Sequence, residues 1–377
     1  MRLRTISWVV VLCAVVLPAC DEEASGSDDA GTRRDNGMPR GDAGPDDGGT
    51  EGEGPVLPPG TLLYLRGDGA DSDVIVAHDL ASGNERVVTD LTEDGSSGWE
   101  IWGIALSPDR RRIAFASLFS PTSEDTATGL ATRAIWTVAT DGTRFRRLTP
   151  TVPNDAGGRS SFSHPVGQPE WTADGEWVVY DFGTYWWENG QLQGATFPSV
   201  VSSEGGAPGF PTTVTDCAVI YPSRNPVTGE FLFLHSACIP GQDVGNGIFL
   251  YPETGTTTPT QLVASAHVDG SIDVSLAKPV WFSDGSGFLF IGRVAATEWA
   301  SSLFSYDAES GDVSLLITAP EGTGIESVAL SPDATTVVYT LYTVDTNTRD
   351  LRRIDLTADP VTDTALTTDG ISRDPLF

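Results

Sequence analysis

The sequence predicts an all-β protein, a six-bladed β-propeller whose blades each contain four strands. Two observations lead to this prediction, namely a repeated turn-and-strand motif and a composition that favours turns and strands over helices. The chain has 377 residues, of which 41 are Gly and 25 are Pro, and only two are Met. Its 39% hydrophobic content is sufficient for a core, and one large β-domain fits this length.

The repeat consists of a short apolar strand, a polar turn that carries Asp, and a second strand of alternating bulky residues. It occurs at 103–117, 168–182, 278–292 and 327–341, and a degenerate copy covers 218–236. Further strand-like runs follow several copies, which gives four strands in roughly fifty residues, the size of one propeller blade. The turn residues Asp109, Asp174, Asp284 and Asp333 recur at the same place, so we expect them to bond the turn backbone and not to act as catalytic acids.

The blades can be placed along the chain. Blades 2 to 6 are predicted at 101–149, 165–215, 216–263, 276–318 and 325–368, whereas the first unit, 61–89, lacks its first strand. The C-terminal segment aligns with first strands elsewhere, because Pro375 and Phe377 fall on Pro169 and Trp171. We therefore expect the C-terminal strand to become the innermost strand of the N-terminal blade and to close the ring.

The stretches "LSPDRRRIAF" and "FRRLT" in blade 2 resemble the repeat of TolB-like β-propellers, and the similarity covers about residues 60 to 377. The resemblance implies a six-bladed propeller of the bacterial envelope that serves chiefly in protein interactions. TolB itself carries a folded domain before its propeller, whereas this chain has a Gly-rich acidic segment there. Similar repeats occur in propellers of serine peptidases and carbohydrate-active enzymes, so the motif specifies fold better than function.

The N-terminus is similar to a bacterial lipoprotein signal. Residues 1–19 contain two Arg, a short apolar run and a small residue before Cys20, which implies lipidation of Cys20 and a membrane-anchored protein. An ordinary signal peptide with an incidental Cys is the alternative. Residues 20–59 are expected to form a disordered tether, and residues 60–377 the propeller. We expect a location in the cell envelope, with the outer membrane favoured and the inner membrane kept open because of Asp21.

Composition and motifs argue against several functions. The net charge is −30 and Lys278 is the only Lys, so the chain offers no basic patch for nucleic acid. No G-x-S-x-G elbow is present, and no pair among His78, His164, His235 and His267 has helical metal-ligand spacing. The sequence therefore predicts no catalytic residue, no metal, no cofactor and no enzyme activity, although residues from different blades can assemble a metal site.

Two cysteines remain once Cys13 leaves with the signal and Cys20 is lipidated. Cys217 and Cys238 lie on the two arms of one predicted hairpin in blade 4, a residue or two out of register. An oxidising compartment and the absence of another thiol partner predict a disulfide between them.

Two binding surfaces are candidates. The first is the stretch 181–198, an apparent insertion in blade 3 with the aromatic residues Tyr185, Trp186, Trp187 and Phe197; it either binds a partner or folds as a lid over its own blade. The second is the axial channel. Aligning the blades on the turn Asp brings together Gly103, Gln168, Ala218, Lys278, Ser327 and Asp374, with Glu326 and Arg373 immediately before two of these positions. The charged and polar members, Gln168, Lys278, Glu326, Arg373 and Asp374, either hold a small polar ligand or pair with one another.

These observations favour a lipid-anchored, non-catalytic scaffold that binds an envelope protein or a polysaccharide. The alternatives are a metal-assisted carbohydrate lyase and a lipoprotein that binds a sugar or peptide. The sequence makes no prediction of oligomeric state.

Overall fold

The computed structural model describes residues 54–67, 74–91, 100–118, 133–150, 162–188, 191–209, 217–236, 238, 246–252, 259–265, 272–274, 278–294, 301–358 and 362–377. Regular secondary structure in these residues consists of β-strands. None of the described segments forms a helix with the length and apolar character needed to cross a membrane.

The strands group into six blades in chain order. Blade 1 contains β1 (Thr61–Arg66), β2 (Val74–Asp79) and β3 (Glu85–Asp90), and blade 2 contains β4 (Ile101–Leu106), β5 (Arg112–Ser117), β6 (Ala134–Ala139) and β7 (Arg146–Arg147). Blade 3 contains β8 (Phe162–Trp171), β9 (Trp177–Glu188) and β10 (Gln191–Ser202), and blade 4 contains β11 (Ala218–Arg224), β12 (Phe231–Ser236), β13 (Gly247–Tyr251) and β14 (Thr260–Ala264). Blade 5 contains β15 (Ile272–Val274), β16 (Val280–Trp281), β17 (Gly287–Val294), β18 (Ser301–Asp307) and β19 (Val313–Thr318). Blade 6 contains β20 (Thr323–Leu330), β21 (Thr336–Thr343), β22 (Thr348–Asp355) and β23 (Thr362–Ala365), and the final strand is β24 (Ser372–Leu376).

Each blade is an antiparallel meander, and the predicted propeller is confirmed. Two blades depart from four continuous strands. In blade 3 the described residues form three strands, with a bridge between Val200 and Gly209 at the outer edge. In blade 5 the innermost strand is split, so that β15 and β16 pair with opposite ends of β17.

The ring closes as predicted. The final strand, β24, pairs antiparallel with β1, and Leu376 lies opposite Leu63 while Arg373 lies opposite Leu65. The order in this sheet is β24-β1-β2-β3, so the C-terminal strand is the innermost strand of blade 1. Its pairing covers the inner edge of β1, which would otherwise be unpaired.

The core lies between neighbouring blades. Alternate strand residues face the next blade, and Leu63 and Ile75 of blade 1 pack with Ile113 and Phe115 of blade 2 in one buried cluster. Polar contacts add to this packing, because the Trp171 indole N–H donates to the carbonyl of Ala105 in the preceding blade at 3.2 Å. Trp281 repeats the contact with Ser223 at 3.2 Å. The repeat therefore fixes both the blades and the joints between them.

The first-to-second-strand turns hold their Asp residues in the predicted role. The Asp174 carboxylate accepts hydrogen bonds from the Thr172 hydroxyl and the Glu176 N–H, and Asp284 accepts from Ser286 in the same way. These bonds lower the pKa of both carboxyls. The turns are thus built by carboxylates that remain ionised at neutral pH.

An N-terminal strap, residues 54–60, packs on the turn of blade 2. Arg110 donates from Nε to the carbonyl of Leu57 at 2.9 Å and from Nη2 to that of Pro58 at 3.0 Å. Arg111 donates to the carbonyl of Gly54 at 3.0 Å, and the Thr140 hydroxyl donates to Pro55. Most of the strap precedes the boundary at residue 60 that the sequence predicts for the propeller. Residues 1–53, including Cys20 and most of the predicted tether, lie outside the described residues.

Candidate functional site

The candidate site lies on the propeller axis, where the innermost strands of all six blades meet. The residue four positions before the turn is equivalent in each blade, because the backbone closes the turn in the same way: Thr172 N bonds Trp177 O, Asn225 N bonds Glu230 O, and Phe282 N bonds Gly287 O. In this register, the equivalent residues of the six blades form a ring around the axis: Gly103, Gln168, Tyr221, Lys278, Ser327 and Asp374. The alignment predicted from sequence placed Ala218 in this ring, and the structure corrects it to Tyr221. The turn of blade 4 has a different sequence from the others, and counting from a turn Asp misplaces the register by three residues.

The innermost strands are bulged near this ring. Gly103, Tyr221 and Asp374 have φ values of 67°, 60° and 51°, and the strand pairings shift register there. A bulge leaves a backbone N–H outside the ladder. These N–H groups therefore need partners from a neighbouring blade, and two of them find one there.

Asp181 provides such a partner. Its two carboxylate oxygens accept from the Tyr221 N–H at 2.9 and 3.0 Å, just as the Thr340 hydroxyl of blade 6 accepts from the Asp374 N–H of blade 1 at 3.1 Å. Asp181 is 1% exposed, and burial raises its pKa to about 8, opposed by the Tyr221 N–H and by Lys278. Sequence reasoning missed this residue. The available signal was a charged side chain at a position where the other repeats have Ala116, Leu234, Ile291 and Thr340.

A cavity of about 240 Å³ lies on the axis. Every blade contributes to its wall, with Gly103, Gln168, Ser223, Lys278, Ser327 and Asp374 as representatives. Pro226, Ser283 and Pro332, which belong to the first-to-second-strand turns, line one end of it. This turn end is the same end of the ring at which the N-terminal strap packs on blade 2.

Lys278 is the central cation of the wall. Its ammonium group lies 2.7 Å from Glu170 Oε2, and both side chains are mostly buried. A second contact reaches the carbonyl of Pro169 at 3.4 Å. The pair therefore neutralises itself inside the cavity wall, and it also places a positive charge near Asp181.

Arg224 is the second cation, and it differs from its equivalents. It occupies the position that Trp171 and Trp281 take in the blades on either side. Its Nε is buried and has no hydrogen-bond partner, and among the described residues no carboxylate lies within ion-pair distance of its guanidinium. The hydrogen bonds from the Thr172 hydroxyl and the Glu176 N–H lower the pKa of Asp174 in blade 3, and the charge of Arg224 lowers it further. Arg224 thus brings to the turn end of the cavity a guanidinium to which no carboxylate of the described residues is bound.

The five predicted channel residues divide into two groups. Gln168, Lys278 and Asp374 line the cavity. Glu326 is bound by Arg349, with Nε to Oε2 at 2.7 Å and Nη2 to Oε1 at 3.1 Å. Arg373 donates to Asp374 at 2.6 Å and to the carbonyl of Ile101 at 3.2 Å. The structure therefore brings three of the five residues to the cavity wall. Of the other two, Glu326 forms an ion pair within blade 6, and Arg373 forms an ion pair with Asp374 and also contacts blade 2.

The aromatic stretch of blade 3 continues the hairpin. In the backbone register Tyr185, Trp186 and Trp187 of β9 lie opposite Gly194, Gln193 and Leu192 of β10, so the residues predicted as an insertion extend two strands. Phe197 packs against Phe182, with ring centroids 5.6 Å apart, at the edge of the blade 3 core. Its role is therefore packing within the blade.

The predicted disulfide between Cys217 and Cys238 is present, with an S–S distance of 2.06 Å and a Cα–Cα distance of 4.1 Å. The two cysteines are one residue out of register, because Ala218 pairs with Ser236.

His235 lies beside the two cysteines, fully buried, and burial lowers its pKa to about 4. Of the other histidines, His78 contacts Glu85 at 3.1 Å, while His267 and the side chain of His164 lie outside the described residues.

Comparison with known proteins identifies the fold. The sequence matches no protein-family model and no curated protein. Among solved structures it is similar to a protein assigned as TolB from Agrobacterium tumefaciens, with a TM-score of 0.52 and 14% identity over 83% of this chain and 90% of that one. It is also similar to hydrazine synthase of Kuenenia stuttgartiensis, with a TM-score of 0.55 and 14% identity over 86% of this chain and 46% of that one. The protein thus has the six-bladed TolB-like propeller fold, as the repeats predicted.

The comparison also corrects the prediction that the protein is not an enzyme. Solved structures similar to it include an oligogalacturonate lyase in complex with manganese, with 14% identity over 80% of this chain and 77% of that one and a TM-score of 0.49. They also include a periplasmic gluconolactonase of Pseudomonas aeruginosa, with 12% identity over 84% of this chain and 97% of that one and a TM-score of 0.47. The prediction relied on missing serine hydrolase and metal motifs. Hydrazine synthase, matched with a TM-score of 0.55, shares this fold, so the missing motifs do not exclude catalysis.

Proposed function

We propose that the axial cavity binds a carboxylate-bearing segment of another protein in the bacterial cell envelope, and that the propeller is a lipid-anchored receptor for that segment. The observation that carries the proposal is Arg224, to which no carboxylate of the described residues is bound, at the turn end of a polar cavity to which all six blades contribute. A guanidinium recognises a carboxylate through paired hydrogen bonds. Arg224 replaces a Trp that seals the joint in two other blades, and so offers a ligand contact where those blades have packing.

Charge favours an anionic ligand at the turn end of the cavity. The chain has a net charge of −30, which repels anions from most of its surface. Within the cavity, Lys278 is neutralised by Glu170, which leaves Arg224 as the cation available to a ligand. An acidic group is therefore attracted to one position, and specificity follows from the contrast with the rest of the surface.

Size and polarity favour a single side chain with a short length of backbone. A volume of about 240 Å³ accommodates a Glu side chain or a chain terminus. Ser223, Ser283 and Ser327 offer hydroxyl groups, and Trp281 and Phe377 offer apolar surface. A peptide that presents both a carboxylate and an apolar neighbour matches this wall.

The position of the strap fits a tethered receptor. Lipidation of Cys20 would anchor the chain, and the strap would then join that anchor to the ring at the turn end of the cavity. The outer membrane remains the favoured location, with the inner membrane as the alternative because of Asp21.

Isothermal titration with short acidic peptides tests the proposal. Peptides ending in Phe-Glu or Leu-Glu are compared with their amidated, Gln-containing counterparts. Arg224→Gln is expected to weaken binding about 10- to 100-fold, the loss for a charge-assisted hydrogen bond. The control is Arg293→Gln, which removes an equal charge at an exposed residue and should leave the affinity unchanged.

Equal binding by wild type and Arg224→Gln would contradict the proposal, as would equal binding of the acidic and amidated peptides. Oligomers of a uronic acid form the second arm of the experiment. Binding of these oligomers and not of the peptides would identify a polysaccharide ligand. Product analysis of the same samples would identify a lyase by a cleavage product with an unsaturated sugar end.

A further inference from the structure

A second cluster of functional groups lies in blade 4, away from the cavity wall. Donor atoms of Cys217, His235 and Cys238 lie within 4.8 Å of one another. The two cysteines flank the hairpin of β11 and β12, and His235 is the penultimate residue of β12. Two sulfur donors and an imidazole in one place are the ligands that zinc prefers.

His235 is held in an orientation that suits a ligand. Its Nε2 lies 2.6 Å from the Tyr251 hydroxyl, and its ring stacks on Phe249 with centroids 3.9 Å apart and an interplanar angle of 17°. The side chain is 0% exposed. Metal-ligating histidines have the same arrangement, with one ring nitrogen fixed by a neighbour and the other directed to the metal.

The other ring nitrogen has no partner. His235 Nδ1 is buried and makes no hydrogen bond, and a buried polar atom without a partner destabilises the folded state. While the disulfide is formed, the two sulfur atoms beside it are bonded to each other and cannot serve as anionic ligands. The cluster therefore has a donor atom that the oxidised protein does not use.

We propose that reduction of the Cys217–Cys238 disulfide creates a zinc site whose ligands are the two thiolates and His235 Nδ1. An external dithiol supplies two electrons and two protons; its own thiols close to a disulfide, and the S–S bond of the protein becomes two thiols. Binding of Zn²⁺ then releases those two protons and forms two Zn–S bonds and one Zn–N bond. The fourth position stays open to water or to a ligand from outside the chain.

The geometry requires one local movement. Bonds of about 2.0–2.3 Å to a tetrahedral ion place its donor atoms about 3.4–3.8 Å apart, so the two sulfurs must move apart once the bond between them is broken. Cys238 can supply this movement, because it follows the end of β12 and is only partly buried. Its backbone N–H is bonded to Asn246 at 3.0 Å, which keeps it close to the hairpin.

Metal titration of the full chain tests the site, with Cys13→Ser and Cys20→Ser in every sample so that Cys217 and Cys238 are the only cysteines. The oxidised protein and the protein reduced with a phosphine are each titrated with Zn²⁺ against a chromophoric chelator, and with Co²⁺ as a spectroscopic probe. We expect one Zn²⁺ per reduced chain, at least 100-fold weaker binding to the oxidised chain, and thiolate-to-cobalt charge-transfer absorption in the reduced form alone. Tyr251→Phe should weaken zinc binding about 10- to 100-fold, because it removes the group that orients His235.

Two variants distinguish zinc binding by the three-residue site from zinc binding by the two thiols alone. His235→Gln should lose the tight binding while keeping both thiols, and His78→Gln, at a partly buried histidine of blade 1, should bind as the wild type does. Equal zinc affinity in the wild type and His235→Gln would overturn the proposal, even if reduction loosens the blade, because zinc would then be held by the thiols alone. Equal binding by the oxidised and reduced chains would also overturn it. The proposal is independent of ligand binding at Arg224.

Discussion

Arg373 on the last strand donates from Nη2 to the carbonyl of Ile101 on the first strand of blade 2, at 3.2 Å. The C-terminal strand therefore holds two joints, because it completes the sheet of blade 1 through Leu63 and Leu65 and also contacts the next blade. The strand also reaches blade 6, where the Thr340 hydroxyl accepts from the Asp374 N–H at 3.1 Å, and Phe377 directly after it packs against a hydrophobic cluster shared by blades 1 and 6.

Deleting residues 371–377 should destabilise the whole propeller. The deletion exposes the inner edge of β1 and removes contacts with blades 2 and 6, so we expect a single transition at a lower temperature in circular dichroism. A synthetic peptide of residues 370–377 added in excess should raise the melting temperature again, as a strand that pairs with the open edge. A truncated chain that melts like the full chain would contradict closure by β24.

A glycine at Arg110, which holds the strap, should affect the free energy of unfolding differently from a glycine at the equivalent turn residue Ala334. Arg110 and Ala334 occupy equivalent turn positions with φ values of 60° and 56°, a conformation that costs non-Gly residues about 1–2 kcal/mol. Ala334→Gly should therefore raise the free energy of unfolding, by about 1 kcal/mol. Arg110→Gly relieves the same strain but removes two hydrogen bonds to the strap, so it should be neutral or destabilising by about 1–2 kcal/mol.

Urea unfolding of both variants measures these effects. Equal stabilisation by the two glycines would show that Arg110 does not hold the strap. Limited proteolysis gives a second measurement, because Arg110→Gly should expose residues 54–60 to cleavage while Ala334→Gly should not.

The disulfide should contribute about 3 kcal/mol to stability, the value expected for a closed loop of this size, since its cysteines are 21 residues apart. Cys217→Ala combined with Cys238→Ala should lower the midpoint of urea unfolding accordingly. Mass spectrometry of a non-reducing digest identifies the bond directly. Two free thiols in protein purified from an oxidising compartment would contradict it.

Asp181 should make the protein less stable as pH rises from about 4 to 8. Its pKa in the folded state, about 8, lies above the ordinary value of 3.8, so the folded state binds the proton more tightly than the unfolded state. This contribution is complete below about pH 4 and is lost as the pH approaches and passes 8. Asp181→Asn should remove it, so the variant should gain stability relative to wild type between those values. A difference between the two proteins that stays constant with pH would show that folding does not raise the pKa of Asp181.

The sequence was sufficient for the fold because the repeat is local. The turn Asp residues, the alternating strands and the aromatic at the joint each depend on near neighbours, and a missing first strand at one end matches a surplus strand at the other. The disulfide followed for the same reason, since its cysteines flank one hairpin.

The candidate site was harder to predict from the sequence than the fold, because it depends on how the strands of different blades align with one another. Counting from a turn Asp misplaced blade 4, where Asn225 begins a turn of another sequence, and so Tyr221 was missed. The importance of Arg224 depends on the same register, since only the structure shows it in the position of Trp171 and Trp281. Asp181 has its partner in a different blade, a contact that periodicity within one strand does not reveal.

The pairing of Leu63 with Leu376 has a consequence for how the protein reaches its native state. The two residues are roughly 310 positions apart, so this contact has the largest loop-closure entropy in the ring and is expected to form late. The hairpins, by contrast, join residues within one blade and can form early. Until the last step the chain is an open arc with two unpaired strand edges, β1 at one end and the final strand at the other. Intermolecular pairing of those edges, with the final strand of one copy completing the first blade of another, is the expected route of misassembly at high concentration.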